Sequence, residues 1–296
     1  MPIIEVENLS KSYGKLIALD SLNLSVQKGE CIAMLGPNGA GKSTFLKIAT
    51  NIVHPTSGTV KIGGVIVEHD PMGALEKVGP LVELPEFYPY LSGNEILDYV
   101  CRVKGASREE IKSETERLST MLSMQDYIGR KCGQYSRGMK QRLALASAMV
   151  MDPDVLILDE PTFGLDPRGM REFIDIIINI NKKDSKTIIM STHLISEARE
   201  IANRVIIMNK GKKMVDMKNE RNVSMMRVTF SGPLNFGSFA YDGIEIVESG
   251  LDWATITTKN NDSNKDIILK LMNKGLEVKW VEPVNSIEKT YLDIVK

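Results

Sequence analysis

The 296-residue chain carries 37 Lys plus Arg against 38 Asp plus Glu. It therefore has no global basic field to gather nucleic acid, and its length admits one large domain or a large one with a small companion. Cys31, Cys101 and Cys132 lie far apart without metal-ligand spacing, which argues against a disulfide framework or a cysteine zinc site and suits a reducing compartment.

From the N-terminus, alternation in "IIEVENLS" and "SLNLSV" and then the apolar run "CIAML" predict strands before a glycine-rich turn at Gly36, with helix from Lys42. Strand-like "TVKIGG" and "KVGPLVEL" come next. Three helical stretches follow, at Asn94 to Val103, Arg108 to Met124 and Ser136 to Met151, and together read as a helical insert over about 90–151. Beyond it "DVLILDE" and "TIIMSTH" have the continuous apolar character of buried central strands, with the helix "GMREFIDIIINI" between them. The fold expected is α/β, with a mostly parallel, helix-covered core sheet and antiparallel N-terminal strands. After Lys213 the pattern changes to "MMRVTF", "IEIVES", "WATITT", a helix near Lys265 to Lys274, "LEVKWV" and a last helix from Ser286. The expected organisation is a domain over 1–213, a linker over 214–224 and a small α+β unit over 225–296. No run approaches about 18 uninterrupted apolar residues, and "MPIIEVENLSKSYG" lacks a basic segment followed by an apolar one. The chain is thus expected to be soluble and cytosolic and to form no membrane channel by itself.

The chemistry is concentrated in a few turns. "GPNGAGKST", from Gly36 through Pro37, Asn38, Gly39, Ala40, Gly41, Lys42 and Ser43 to Thr44, fits the phosphate loop G-x-x-x-x-G-K-[ST]. Glycines permit unusual dihedrals and close backbone approach, amides cradle phosphate oxygens, Lys42 neutralises β/γ charge and Ser43 can ligate Mg²⁺. "VLILDEP" ends a strand on Asp159 and Glu160. Alone these are two solvated carboxylates, but after a phosphate loop Asp159 reads as a Mg²⁺ holder through water and Glu160 as the general base. His193, just after "TIIM", either serves as a surface or capping residue or hydrogen-bonds a γ-phosphate. In "QYSRGMKQRLALA", Ser136 opens a helix either as a simple cap or as part of an anion site. "NKKD", Asn181 to Asp184, matches the guanine-reading N-K-x-D, but it follows a helix instead of a buried strand and is read as a polar helix-to-strand loop.

Phosphate loop, "YSRGMKQRL", "LILDEPTFGLDP" and "STH", in this order and at these intervals, resemble the nucleotide-binding subunit of ABC transporters over residues 1–213. The resemblance implies ATP with Mg²⁺, hydrolysis to ADP and phosphate, a second ATP-binding subunit (a homodimer is expected) and a separate transmembrane permease. It places the chain peripherally on the inner face of the cell membrane, with no direct nucleic acid partner. By position, Tyr13 in "KSYG" resembles the aromatic that stacks on adenine, and His193 the switch histidine. "YSRGM", with Ser136, Arg137, Gly138 and Met139, resembles the signature usually written LSGGQ, which contacts ATP bound by the other subunit. Asp166 in "GLDP" resembles the loop that communicates across the dimer.

The chain departs from that pattern. Tyr135, Arg137 and Met139 stand where Leu, Gly and Gln are usual, and a surface position is expected for Arg137. Glu83 replaces the glutamine that senses Mg²⁺ and the permease, so it is a candidate for coupling and for the metal. Its run E-x-P-x-F-Y is similar to a branch of bacterial and archaeal drug and antimicrobial-peptide exporter ATPases, which favours export of a drug, peptide or lipid-like substrate. The rival readings are a soluble ABC-type ATPase acting on ribosomes or nucleic acid, which neutral charge and a single cassette disfavour, and an ATP-dependent regulatory module.

Overall fold

The computed structural model describes residues 1–83, 86–219, 225–232, 244–258, 264–273, 276–283 and 286–295. Two compact units are present, Met1–Lys218 and Asn219–Lys296. In the first, β1 (Ile4–Tyr13), β2 (Leu16–Val26), β4 (Ser57–Ile62) and β5 (Val65–Ile66) form an antiparallel sheet in the order β2-β1-β4-β5. A second sheet holds β3 (Cys31–Leu35), β6 (Val78–Leu81), β7 (Val155–Asp159), β8 (Thr187–Thr192), β9 (Arg204–Asn209) and β10 (Lys212–Lys218), ordered β10-β9-β3-β8-β7-β6. All its pairs are parallel except β10 with β9.

β3 is buried along its whole length, as is β8. That is why "CIAML" and "TIIMST" read as continuous apolar runs and not as alternation: both faces of a parallel sheet are covered. Ile32, Met34, Val155, Ile157, Ile189, Ile206 and Met208 join one core with Phe45, Leu46 and Ile48 of α1 (Lys42–Ala49) and with Ile4, Val6, Leu22, Leu24 and Val60 of the antiparallel sheet. Full burial of an aromatic such as Phe45 contributes about 1.5–3 kcal/mol. The opposite face is covered through α6 (Pro167–Asp184) and α7 (Ile195–Ile201), whose Phe173, Ile177, Ala198 and Ile201 are buried. Because β3, β8 and β7 are adjacent and parallel, their carboxyl ends open on one edge of the sheet, where open α/β folds bind ligands.

The helical insert comprises α3 (Gly93–Val103), α4 (Arg108–Met121) and α5 (Arg137–Ala148); the short α2 (Pro71–Leu75) precedes it, capped by Asp70. Ser92 and Glu95 form a capping box on α3, Ser107 and Glu110 one on α4. Glu95 accepts from the Ser92 amide at 2.7 Å and from Lys131 at 3.1 Å. The backbone bond first, then the Ser92 hydroxyl and Lys131, hold its carboxyl down from the ordinary 4.5 to about 2. A folded-state value below the unfolded one contributes stability that is full above about pH 4.5 and lost as pH falls through about 2. Glu95→Gln should therefore flatten this part of the acid limb in a pH series of chemical unfolding, and an unchanged limb would show that Glu95 contributes nothing to it.

Boundaries differ from the sequence reading at several points, the helix expected to run to Met151 ending at Ala148 among them. Lys212–Lys218 is one strand, so residues 214–218 belong to the sheet and not to a linker: β10 pairs with β9, and Arg204 grips Asp216 at 2.7 and 2.9 Å. Residues 220–224 of the expected linker lie outside the described residues, as do Pro85 of the E-x-P-x-F-Y run and Lys274. Asn181–Asp184 is the last turn of α6 and not a loop; Asn181 ties that turn to Gly29 and Lys186 through their carbonyls, at 3.0 and 2.8 Å. The helix expected to reach Met124 stops at Met121, followed by Ser123 at φ 54°, a left-handed turn that ends helical bonding.

The second unit is an antiparallel sheet of β11 (Met225–Phe230), β12 (Ile244–Ser249), β13 (Trp253–Thr258) and β14 (Val278–Pro283), ordered β12-β13-β11-β14, with α8 (Asn264–Asn273) and α9 (Ser286–Val295). Met226, Val228, Phe230, Ala254 and Ile256 pack with Ile267 and Leu271 of α8. On the other face the Arg227 guanidinium lies 4.3 Å from the Trp253 ring centroid.

Candidate active site

The phosphate loop runs from the end of β3 into α1. Gly41 has φ 101°, and a Cβ there would stand 2.5 Å from the Ala18 carbonyl oxygen, so the turn into the helix accepts only glycine. Directly after it, Lys42 is 4% exposed and folds back over the loop, donating to the carbonyls of Gly36 at 2.7 Å and Pro37 at 3.1 Å. Burial lowers its pKa, against the opposing pull of Glu160 and then Asp159. An ammonium ion is thus held beside the free amides of a helix N-terminus, two elements that both attract phosphate.

Ser43 donates to Asp159 Oδ1 at 3.0 Å, which joins α1 to the end of β7. The same oxygen accepts a hydrogen bond from the Ser191 hydroxyl of β8, in keeping with the Asp159–Ser191 register. A hydroxyl and a carboxylate side by side form the hard-oxygen donor set that suits Mg²⁺. Among the described residues no group of three or more His, Cys, Asp or Glu is arranged for a metal ion; Mg²⁺ that arrives with nucleotide needs only one or two protein ligands.

Glu160 follows with φ 42°, a left-handed conformation in which its amide donates to Ser191 Oγ at 2.9 Å. The strained turn swings its carboxylate towards the β8 end. There His193 Nδ1 lies 3.3 Å from Glu160 Oε2. Carboxylate and imidazole, each partly open to solvent, are within reach of one water. Tyr13, at the end of β1, keeps 47% of its surface exposed, with Lys11 Nζ 5.0 Å from its ring centroid. That leaves an aromatic surface available for stacking.

The signature turn is elsewhere. Ser136 is the N-cap of α5, its Oγ accepting from the Met139 amide at 3.3 Å, while Met139 Sδ accepts from the Ser136 amide at 3.4 Å. A thioether is a poor stand-in for the Gln that a capping box prefers. Tyr135 is buried and donates to the carbonyls of Tyr127 at 3.0 Å and Ile128 at 3.2 Å, anchoring the turn to the helical insert. Arg137 is exposed, as expected, but not idle: its guanidinium lies 5.1 Å from the Phe163 ring centroid and fills the space over Gly164. Gly164 has φ 74°, and a Cβ there would clash with Arg137 Cζ. Ser136, Arg137, Gly138 and Met139 line a groove of about 660 Å³ with Gly164 and Asp166, and none of the phosphate-loop residues lines it. Asp166 caps α6, accepting from the Gly169 amide at 2.7 Å.

Glu83 has φ 68°, and its carboxylate pairs with Lys47 of α1 at 2.5 Å, a hydrogen bond that raises the Lys47 pKa. The charge expected to repel phosphate is thus paired within the chain, through a lysine that also feels the charge of Asp159. The sequence reading missed Ser191 and Glu197. Glu197 is buried and accepts from the hydroxyls of Thr162 and Thr192. The signals available were a serine in "STH" and an acid four residues, one helical turn, after His193.

The chain has relatives among known proteins. The family model described as ABC transporter matches residues 19–163. The bacitracin transport ATP-binding protein BcrA of Enterococcus faecalis is 36% identical over 209 residues, covering 71% of this chain and 67% of that protein. The lantibiotic transport ATP-binding protein SrtF of Streptococcus pyogenes is 36% identical over 220 residues, covering 72% and 90%. Among solved structures, the dimeric post-hydrolysis state of an ATP-binding cassette bound to ADP and Pi superposes with a TM-score of 0.67 at 27% identity, covering 73% of this chain and 99% of that one.

Proposed function

This chain belongs to the ABC transporter family as an ATP-binding, ATP-hydrolysing subunit, and we propose that it dimerises on the cytoplasmic side of a separate permease and powers export of a peptide antibiotic or a similar amphipathic compound. Support for hydrolysis comes from the convergence of Lys42, Ser43, Asp159, Glu160 and His193 at the carboxyl ends of β3, β7 and β8. Support for export comes from the names of the bacitracin and lantibiotic relatives. Among the described residues no helix is long and apolar enough to cross a membrane, so the translocation path is assigned to another chain.

In this reading Tyr13 stacks on adenine, contributing about 1–3 kcal/mol. The amides of Gly39 to Thr44, with Lys42, take the β- and γ-phosphates. Ser43 and Asp159 would hold Mg²⁺, which when bound would neutralise the β/γ charge. Glu160 accepts a proton from the attacking water while His193 fixes its orientation. The new oxygen–phosphorus bond forms in line as the bond from the γ-phosphorus to its bridging oxygen breaks, leaving ADP and phosphate. Ser136 and the Gly138 amide of a second copy cover the γ-phosphate, so ATP closes the dimer and hydrolysis reopens it. Asp166 relays across that interface, and Glu83, poised on Lys47, reports to the permease. The ATP work falls to the first unit, and residues 225–296 brace the dimer.

The test is co-purification from solubilised membranes of the native host. A multi-span membrane protein should elute with the tagged chain, and its loss should sensitise cells to a peptide antibiotic. Recovery of ribosomes or nucleic acid instead would overturn the transport reading.

A further inference from the structure

The hydrolytic pair sits on two separate loops. Glu160 lies at the end of β7, His193 at the end of β8, and the contact between them is a single 3.3 Å approach of partly exposed side chains. Catalysis by positioning tolerates little drift, since a misplacement of about 1 Å can cost on the order of a hundredfold in rate. Ser191 ties the strand ends, its Oγ accepting from the Glu160 amide at 2.9 Å and donating to Asp159 Oδ1; the loops beyond those ends need a tie of their own.

Glu197 occupies that place. It is 1% exposed, in the first turn of α7. Its Oε1 accepts from the hydroxyl of Thr162, two residues beyond Glu160, and its Oε2 accepts from the hydroxyl of Thr192 at 2.6 Å, one residue before His193. Thr192 Oγ1 in turn accepts from the Leu194 amide at 3.0 Å, so the residues on both sides of His193 are bonded. Both threonines are buried, 3% and 1% exposed. A carboxylate withdrawn from water is costly unless its oxygens are satisfied, and apolar residues often fill such space with equal or better stability. What an apolar residue could not do is hydrogen-bond two loops at once.

We infer that Glu197 is a positioning residue for hydrolysis, clamping the Thr162 and Thr192 loops so that Glu160 and His193 stay side by side and face one water. The inference rests on the reading of Glu160 and His193 as the water-orienting pair. A clamp of this kind acts on the chemical step and leaves nucleotide affinity little changed, because neither Glu197 oxygen bonds the phosphate loop, where Lys42 donates to the Gly36 and Pro37 carbonyls.

The experiment is steady-state ATPase kinetics on the purified full chain with ATP and Mg²⁺. Glu197→Ala should lower kcat about ten- to a hundredfold with KM for ATP changed by less than about twofold. Glu197→Gln, which keeps one carbonyl acceptor, should recover much of that loss. Thr162→Val and Thr192→Val each remove one bond and should show smaller kcat losses; these two variants decide the question if Glu197→Ala does not fold. In a His193→Ala background Glu197→Ala should cost little more, since the two act through one water. Wild-type kcat in Glu197→Ala, a loss fully additive with His193→Ala, or no recovery by Gln would overturn the inference. Wild-type kcat in His193→Ala and Glu160→Gln would instead overturn the reading beneath it.

Discussion

Glu160→Gln is expected to slow ATP hydrolysis by about a hundredfold or more while leaving ATP binding intact, the loss that removal of a general base produces. The geometry makes this a clean substitution. The left-handed backbone at Glu160 and its amide bond to Ser191 Oγ are set by the chain and not by the carboxylate. Gln keeps the side-chain length and a carbonyl oxygen that can approach His193 Nδ1, so the loop and His193 keep their places. What disappears is the proton acceptor. Lys42, Ser43 and Asp159, which bind the phosphates and the metal in the proposed mechanism, are untouched. The variant should therefore accumulate as an ATP-bound dimer, visible as a larger species on size exclusion only when ATP is present, with phosphate release nearly abolished in a single-turnover assay. Hydrolysis at the wild-type rate would remove Glu160 as the base.

Ser136→Arg is expected to lower hydrolysis about a hundredfold or more, the scale of losing one oriented donor to a transition-state phosphoryl group, while ATP affinity of the isolated chain stays within about twofold. The reason is geometric. Ser136 lies in a groove with Gly164 and Asp166 that none of the phosphate-loop residues lines, and in the proposed dimer the nucleotide it serves is held by another copy. An arginine in that turn adds bulk and a second guanidinium beside Arg137, and blocks close approach of the partner's phosphate loop. It also removes the α5 cap, at about 1 kcal/mol, and a melting curve separates that cost from the functional one. Binding of a fluorescent ATP analogue to dilute monomer is the deciding measurement. A collapse of monomer binding would mean that Ser136 serves its own nucleotide.

The two predictions differ in how much of their basis was legible in the sequence. "GPNGAGKST" and "VLILDEP" state their chemistry in residue type and spacing, because a phosphate cradle needs glycine, lysine and hydroxyl in fixed order on one continuous turn. The parallel core was also legible, since strands covered on both faces must be apolar throughout. Less visible were the positions where the answer depends on a neighbour distant in sequence. The surface place of Arg137 could be expected, but its packing over Phe163 and Gly164 could not. The spare charge of Glu83 is answered by Lys47, a residue in no motif. Residues 214–218 looked like linker because alternation in an edge strand with polar outward positions resembles a polar connection, and pairing with β9 decides otherwise.

By itself, then, the sequence determined the fold class, the phosphate-loop motif and the strand-end carboxylates as candidates for that chemistry, and the likeness of the signature turn to one that meets a second subunit. Those are properties of contiguous stretches, where residue type and period carry the physics. Only the tertiary structure decided that Asp159 accepts from hydroxyls on two other elements, that Glu160 and His193 stand 3.3 Å apart, and that a buried Glu197 ties their loops together. Each of these joins residues from different strands and helices. The register of adjacent parallel strands, a long-range pairing set by core packing and not by local pattern, is what brings them to one edge of the sheet.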